Sequence, residues 1–164
     1  MQISEDALKQ AYRQMKTIRM FEERLHDEIM TGEIAGFTHL YAGQEAVAVG
    51  VCEHLDYNDT IASTHRGHGH CIAKGCDVKG MMLEIYGRAD GICKGKGGSM
   101  HIADIEKGML GANGIVGGGP PIVVGAALAA KLYGDGRLAV AFSGDGACNH
   151  CLLYTSPSPR DLST

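Results

Sequence analysis

The first place where residue types and spacing point to chemistry is Gly144-Asp-Gly-Ala147. It follows Leu138–Phe142, a run of five apolar residues. Glycines let the backbone approach a phosphate closely, and a following helix would aim its first N–H groups at that phosphate. The aspartate suits a Mg²⁺ ion bridging to a diphosphate, because Mg²⁺ takes hard oxygens and few protein ligands. An Asx turn is the plain alternative for these residues.

A second stretch, Gly111-Ala-Asn-Gly-Ile-Val-Gly-Gly-Gly119, sets Ile115 and Val116 among glycines. Such a backbone can offer bare N–H and C=O groups to a flat heterocycle, with the valine as an apolar wedge. A flexible linker would not carry Ile and Val at its centre. A third, Thr64-His-Arg-Gly-His-Gly-His-Cys71, has two readings. His65, His68, His70 and Cys71 are possible Zn²⁺ ligands, which would make residues 65–76 a Cys/His metal-binding module. Their spacing fits none of the common zinc modules. Arg66 among imidazoles fits an anionic ligand better, since guanidinium reads phosphate through two N–H groups. Lys94-Gly-Lys-Gly-Gly-Ser-Met-His101 looks like a phosphate loop but lacks the residue order of a nucleotide P-loop.

These segments must be positioned by regular elements. Leu8, Tyr12, Met15, Ile18, Phe21, Leu25 and Ile29 recur at three- and four-residue steps, which predicts an amphipathic helix capped by Ser4 and ending near Gly32. Its Arg, Lys and Glu residues read as a solvated or subunit-facing side. Ala46–His54 reads as a small-residue helix, Thr60–Thr64 as a short strand, and Asp77 as the cap of a helix to about Tyr86. Residues 87–119 read as loop, with 11 glycines in 33 positions. Pro120 and Pro121 open a helix to about Tyr133. Leu138–Phe142 then reads as a buried parallel strand whose Gly-Asp-Gly end should feed a helix. Alternating helices and short apolar strands predict an α/β fold with a parallel sheet flanked by helices. Ligands in such folds bind outside the carboxyl ends of the strands.

Composition narrows the class. The 164 residues are one ordinary domain's worth, and the net charge of −4 argues against nucleic acid as partner. The longest apolar run, Ile122–Ala130, is too short for a bilayer. Six cysteines without an apolar leader before them read as reduced thiols in a cytoplasmic protein. Glycine, at 24 residues, is about twice its usual share and reads as backbone clearance for one bound group.

The end of the chain breaks this pattern. Cys151-Leu-Leu-Tyr-Thr-Ser-Pro-Ser-Pro-Arg-Asp161 reads as the translation of a transposase-type adapter used in short-read sequencing. Residues 151–164 are therefore expected to be a non-native tail, and the native sequence to be truncated near His150.

Taken together, His39 with Gly43-Gln-Glu45, His65-Arg-Gly-His-Gly69, Gly95-Lys-Gly-Gly-Ser-Met-His101, Gly114-Ile-Val-Gly117 and Gly144-Asp-Gly-Ala147 form a specific combination. Over residues 10–150 the chain resembles the α subunits of the E1 component of thiamine-diphosphate-dependent 2-oxo acid dehydrogenase complexes. Within that group Gly108–Pro121 is most similar to the acetoin dehydrogenase type. The resemblance implies a thiamine-diphosphate-binding fold, here incomplete, with residues 1–150 as the N-terminal part of the domain.

It also implies roles. Asp145 would be the Mg²⁺ ligand, with Gly146 and Ala147 against the diphosphate. Gly114 and Val116 would face the aminopyrimidine, and Val116 would help hold the cofactor bent. Arg66 would pair with the diphosphate, and His65, often tyrosine in relatives, would lie near the cofactor. His39 and His68 would stand around the reaction centre in catalytic roles. Asn149 would order the start of the next helix. The implied reaction breaks a C–C bond, by cleaving acetoin or, alternatively, by decarboxylating pyruvate, and passes the two-carbon unit to a lipoyl group on an E2 partner. The implied assembly is an α2β2 heterotetramer in which an E1 β subunit completes the site. The second Mg²⁺ ligand and a lipoyl-facing histidine of that family fall beyond residue 150, so this chain alone is expected to be inactive and to bind cofactor weakly.

Overall fold

The computed structural model describes residues 3–155. Its first element, helix α1, spans Glu5–Met30. Ser4 Oγ accepts from the Ala7 N–H at 3.2 Å, and Glu5 and Asp6 favour the positive helix start. Helix α2 follows at Glu45–Cys52, strand β1 at Thr60–Ala62, and helix α3 at His68–Ala73. Helix α4, Val78–Ile85, is capped by Asp77, whose carboxylate accepts from Gly80 N–H at 2.7 Å. Strand β2 is Met109–Gly111. Helix α5, Gly119–Tyr133, carries its prolines in the first turn and stops at Gly134 in the left-handed conformation. Strand β3 is Ala139–Ala141, and a short helix α6 spans Cys151–Tyr154.

The sheet is parallel throughout, in the order β2-β1-β3. Thr60, Ile61 and Ala62 lie opposite Ala139, Val140 and Ala141. Ile61 lies opposite Met109, and the register shifts before Ala62 meets Gly111. Asp59 joins the starts of β1 and β3: one carboxylate oxygen accepts from Leu138 N–H and the other from Asp56 N–H, both at 2.6 Å. Helix α5 packs on β1 and β3, while α1, α2 and α3 pack on one another. The main core joins Ile18, Phe21 and Leu25 of α1 to Tyr41, Ile61, Cys71, Met81 and Met109. The architecture is an α/β fold with an open parallel sheet flanked by helices.

Three elements differ from the sequence reading. Strand β2 lies inside the stretch read as glycine-rich loop. It forms because Ile61 and Ser63 donate to the carbonyls of Gly108 and Gly111, at 2.8 and 2.9 Å. Helix α3 was hidden in the His/Cys cluster, and all six of its residues are buried. Gly144 also does not feed a regular α-helix. Asp145–Asn149 forms a 3₁₀ turn, and His150 is extended, which ends it. His150 Nδ1 then accepts from Leu152 N–H and caps α6. Positions 156–164 of the expected non-native tail lie outside the described residues.

Candidate functional site

The carboxyl ends of all three strands deliver the segments that drew attention in the sequence. Beyond β1 come Ser63, Thr64, His65 and Arg66; beyond β2, Ala112 to Gly117; beyond β3, Phe142 to Ala147. They surround a cleft of about 440 Å³. Its position agrees with the rule for open α/β sheets.

Of the residues singled out, His65, Arg66, His70, Ile115, Val116, Asp145, Gly146 and Ala147 line this cleft. Arg66 is fixed on its far side: Nη1 donates to the Leu40 carbonyl at 2.6 Å. Its other N–H groups remain for an anion. Asp145 is exposed at the start of its turn, flanked by two glycines that leave the backbone bare. Ile115 and Val116 supply an apolar wall, and Asn113 Oδ1 shapes their turn by accepting from Ile115 N–H at 2.9 Å. The site thus combines a cation, a hard-oxygen anion, open backbone and an apolar surface. That donor set suits a diphosphate joined to a heterocycle, and the Asp145 carboxylate is the kind of hard oxygen a divalent cation takes.

His39 reaches the cleft through His65. Their rings meet edge to face with centroids 4.9 Å apart. Burial pushes the His65 imidazole below its ordinary range, and the neighbouring His39 and Arg66 push it the same way. His65 is therefore a neutral ring at pH 7, able to accept at one nitrogen and donate at the other. Gly114 lies two residues before Val116 and packs against His101, where a Cβ would come within 3.2 Å of the imidazole.

His68 is elsewhere. It is fully buried and not part of the cleft lining, with Nδ1 2.8 Å from Glu22 Oε1 and Nε2 2.9 Å from Ser99 Oγ. Glu22 also departs from the solvated role read for the charged side of α1. It is fully buried on the stripe of Ile18, Phe21 and Leu25. Its spacing of four from Ile18 and three from Leu25 was the signal available in sequence.

His70 also has both nitrogens occupied, by Ser63 Oγ at 2.6 Å and Tyr41 Oη at 3.0 Å. It stacks on Phe142, with centroids 3.7 Å apart, and burial lowers its pKa to about 3. His68 and His70 thus turn to separate protein partners. Among the described residues, no three His, Cys, Asp or Glu side chains converge to hold a metal ion. Cys148 and Cys151 stand in Cys-x-x-Cys spacing, overlooked in the sequence reading; both are free and exposed.

The glycines do more than one job, which corrects their reading as clearance for one bound group. Gly117, Gly119, Gly144 and Gly146 edge the cleft. Those of 91–98 wrap the buried Glu84 carboxylate of α4. It accepts from the N–H groups of Cys93, Gly95, Gly97 and Gly98 at 2.7–3.1 Å. A Cβ on Gly91 would sit 2.5 Å from the Glu84 backbone. Burial works to raise the Glu84 pKa, but the four amides outweigh it and hold the carboxyl below its usual range. This loop resembles a phosphate loop because its backbone does cradle an anion, and that anion is the chain's own.

Comparison with known proteins agrees with this architecture. Residues 13–158 match the family model described as dehydrogenase E1 component. The α subunits of acetoin:2,6-dichlorophenolindophenol oxidoreductase from Cupriavidus necator and Bacillus subtilis are each 60% identical over 147 residues, covering 90% of this chain and 44% of theirs. The pyruvate dehydrogenase E1 component subunit alpha of Zymomonas mobilis is 47% identical over 150 residues, covering 91% of this chain and 42% of its own. The chain spans less than half the length of these relatives. With the family model matched across nearly all of the described residues, the chain belongs to the dehydrogenase E1 component family.

Proposed function

We propose that residues 1–150 are the N-terminal part of an E1 α subunit that binds thiamine diphosphate with Mg²⁺ and acts on acetoin. Its partners in this reading are an E1 β subunit and a lipoyl-bearing E2, and 151–164 is a non-native tail. The observation that carries the reading is the meeting of Arg66, Val116 and Asp145 in one cleft at the ends of three parallel strands. The greater identity to the acetoin-named relatives than to the pyruvate-named one supports acetoin.

In this reading Arg66 binds the diphosphate through the N–H groups not given to Leu40. Asp145 supplies one hard oxygen to Mg²⁺. Gly144 and Gly146 leave room for phosphate oxygens. Ile115 and Val116 exclude water from the heterocycle and hold its orientation. Neutral His65, backed by His39, offers one donor and one acceptor at the cleft. The cofactor, when bound, supplies the electron sink for breaking the C–C bond.

The full-length α subunit, co-produced with its β partner, tests this on two substrates. Thiamine-diphosphate-dependent turnover of acetoin in preference to pyruvate is the expected result. Preference for pyruvate overturns the substrate assignment, and turnover independent of the cofactor overturns the whole reading.

A further inference from the structure

The Glu22 carboxyl touches two segments at once. Oε2 accepts from the Tyr41 N–H at 3.0 Å, and Oε1 lies 2.8 Å from His68 Nδ1. Tyr41 is two residues beyond His39, and His68 is two residues beyond Arg66. On its other side His68 meets Ser99, two residues before His101, whose ring packs on Gly114. One buried chain of hydrogen bonds thus joins the segments that carry His39, His65 with Arg66, and His101, each held two residues from a group at or beside the site.

We propose that Glu22, acting through Tyr41 and His68, is the positioning residue that sets the spacing between the loop of His39 and the loop of His65 and Arg66. The proposal rests on reading the cleft as the cofactor site and deepens it. Two features make Glu22 the joint. It is a single rigid group shared by both loops, and it projects from the longest helix of the chain. Arg66 adds a second tie between the same loops by donating to the Leu40 carbonyl at 2.6 Å. The spacing so fixed is the 4.9 Å edge contact of His39 with His65.

Glu22, His68 and Ser99 have the hydrogen-bond order of a nucleophilic triad. They do not serve as one. Ser99 is only 6% exposed, and the N–H groups of Gly97 and Gly98 that would stabilise an oxyanion are taken by Glu84. The chemistry left to these groups is orientation. Glu22 at Nδ1 and Ser99 at Nε2 hold the ring from both ends.

The test uses the full-length subunit with its partner and compares Glu22→Ala with Glu22→Gln. Hydrogen exchange is followed over 37–42 and 63–68, and thiamine diphosphate affinity is measured with Mg²⁺. Glu22→Ala is expected to speed exchange in both segments together and to weaken the cofactor about tenfold, the scale of a buried hydrogen bond. Glu22→Gln keeps an oxygen for Tyr41 N–H and is expected to restore slow exchange over 37–42 and most of the affinity. The proposal is overturned if Glu22→Ala leaves both segments and the affinity unchanged. It is also overturned if exchange rises equally in α4 and α5 and glutamine rescues nothing, which is the mark of a general fold defect. If Glu22→Ala does not fold, Ser99→Ala decides: faster exchange over 63–68 supports the chain of contacts, and unchanged exchange contradicts it. Failure of the wild-type protein to bind thiamine diphosphate overturns the cofactor reading alone, and the exchange results still decide the role of Glu22.

Discussion

The Tyr41 ring lies directly on Gly69 of α3, so that a Cβ at position 69 would fall 2.1 Å from Tyr41 Cδ1. No flexible tip is available to yield, because Tyr41 is fully buried, held by Glu22 at its N–H and by His70 at its hydroxyl. Gly69→Ala is therefore expected to cost about 1–3 kcal/mol or more by overpacking. Thermal unfolding of the full-length protein checks this. An unchanged melting temperature would show that the ring can move aside.

Glu84→Gln should be far from conservative. A carboxylate accepts at both oxygens, whereas the glutamine NH₂ would face two of the four loop amides, donor against donor. Buried N–H groups left unpaired cost about 1–3 kcal/mol each. The expected result is a loss of roughly 2–5 kcal/mol, with fast exchange over residues 93–98 and little change in α5. Slow exchange over 93–98 in the variant would contradict the assignment of the loop to its own carboxylate.

His70 makes the fold acid-sensitive. Its folded pKa is about 3 against an ordinary 6.5, so between these values the unfolded chain binds the proton and the folded chain does not. Stability must then rise with pH across that window and fall as pH drops from about 6.5 toward 3. His70→Gln keeps polar atoms for Ser63 and Tyr41 but does not titrate. The variant is expected to lose much of the slope of stability against pH between 6 and 4, measured by urea unfolding. An unchanged slope would assign the sensitivity elsewhere.

A second acid limb comes from Arg19 and Glu45, which join α1 to the start of α2 at 2.7 Å. The Arg19 hydrogen bond, helped by the Gly43 N–H, outweighs burial and lowers the Glu45 pKa from 4.5 to about 2. A lowered carboxylate contributes stability that is present above the unfolded value and lost as pH falls through the folded one. The window is therefore about pH 4.5 down to 2. Arg19 is half-exposed, so solvent screening keeps the contribution small. Arg19→Ala should shallow the stability curve only within that window, and a change confined to neutral pH would contradict it.

The parts of the fold legible in the sequence were those set by local rules. Ser4, the apolar stripe of α1, Asp77, and the prolines of α5 each act within a turn or two of their own position. The apolar run before Gly144 likewise revealed β3. What escaped depends on partners distant in the chain. Strand β2 has three residues and exists through the carbonyls it offers to β1. Glu22 looks like any charged residue on a long helix, and only its place on the buried stripe separates it from its neighbours. His68 and His70 read as ligands because histidine chemistry is the same whether the partner is a metal, a substrate or a buried hydroxyl. For the site, residue types marked Arg66, Val116 and Asp145, while side-chain partners separated His65 from His70, which lines the cleft with both nitrogens engaged. Glycine number was informative, but part of its meaning lay in Glu84, which sits outside the glycine-rich stretch.

The most direct test of the central claim is calorimetric titration of thiamine diphosphate with Mg²⁺ into the full-length α subunit assembled with its β partner, for wild type and for Asp145→Asn and Arg66→Ala. The expected result is saturable, Mg²⁺-dependent binding by the wild-type assembly. Removing the Arg66 cation or the Asp145 carboxylate should weaken it at least about tenfold, the scale of one charge-assisted contact. Binding that ignores Mg²⁺, or that both variants retain in full, would contradict the assignment of this cleft.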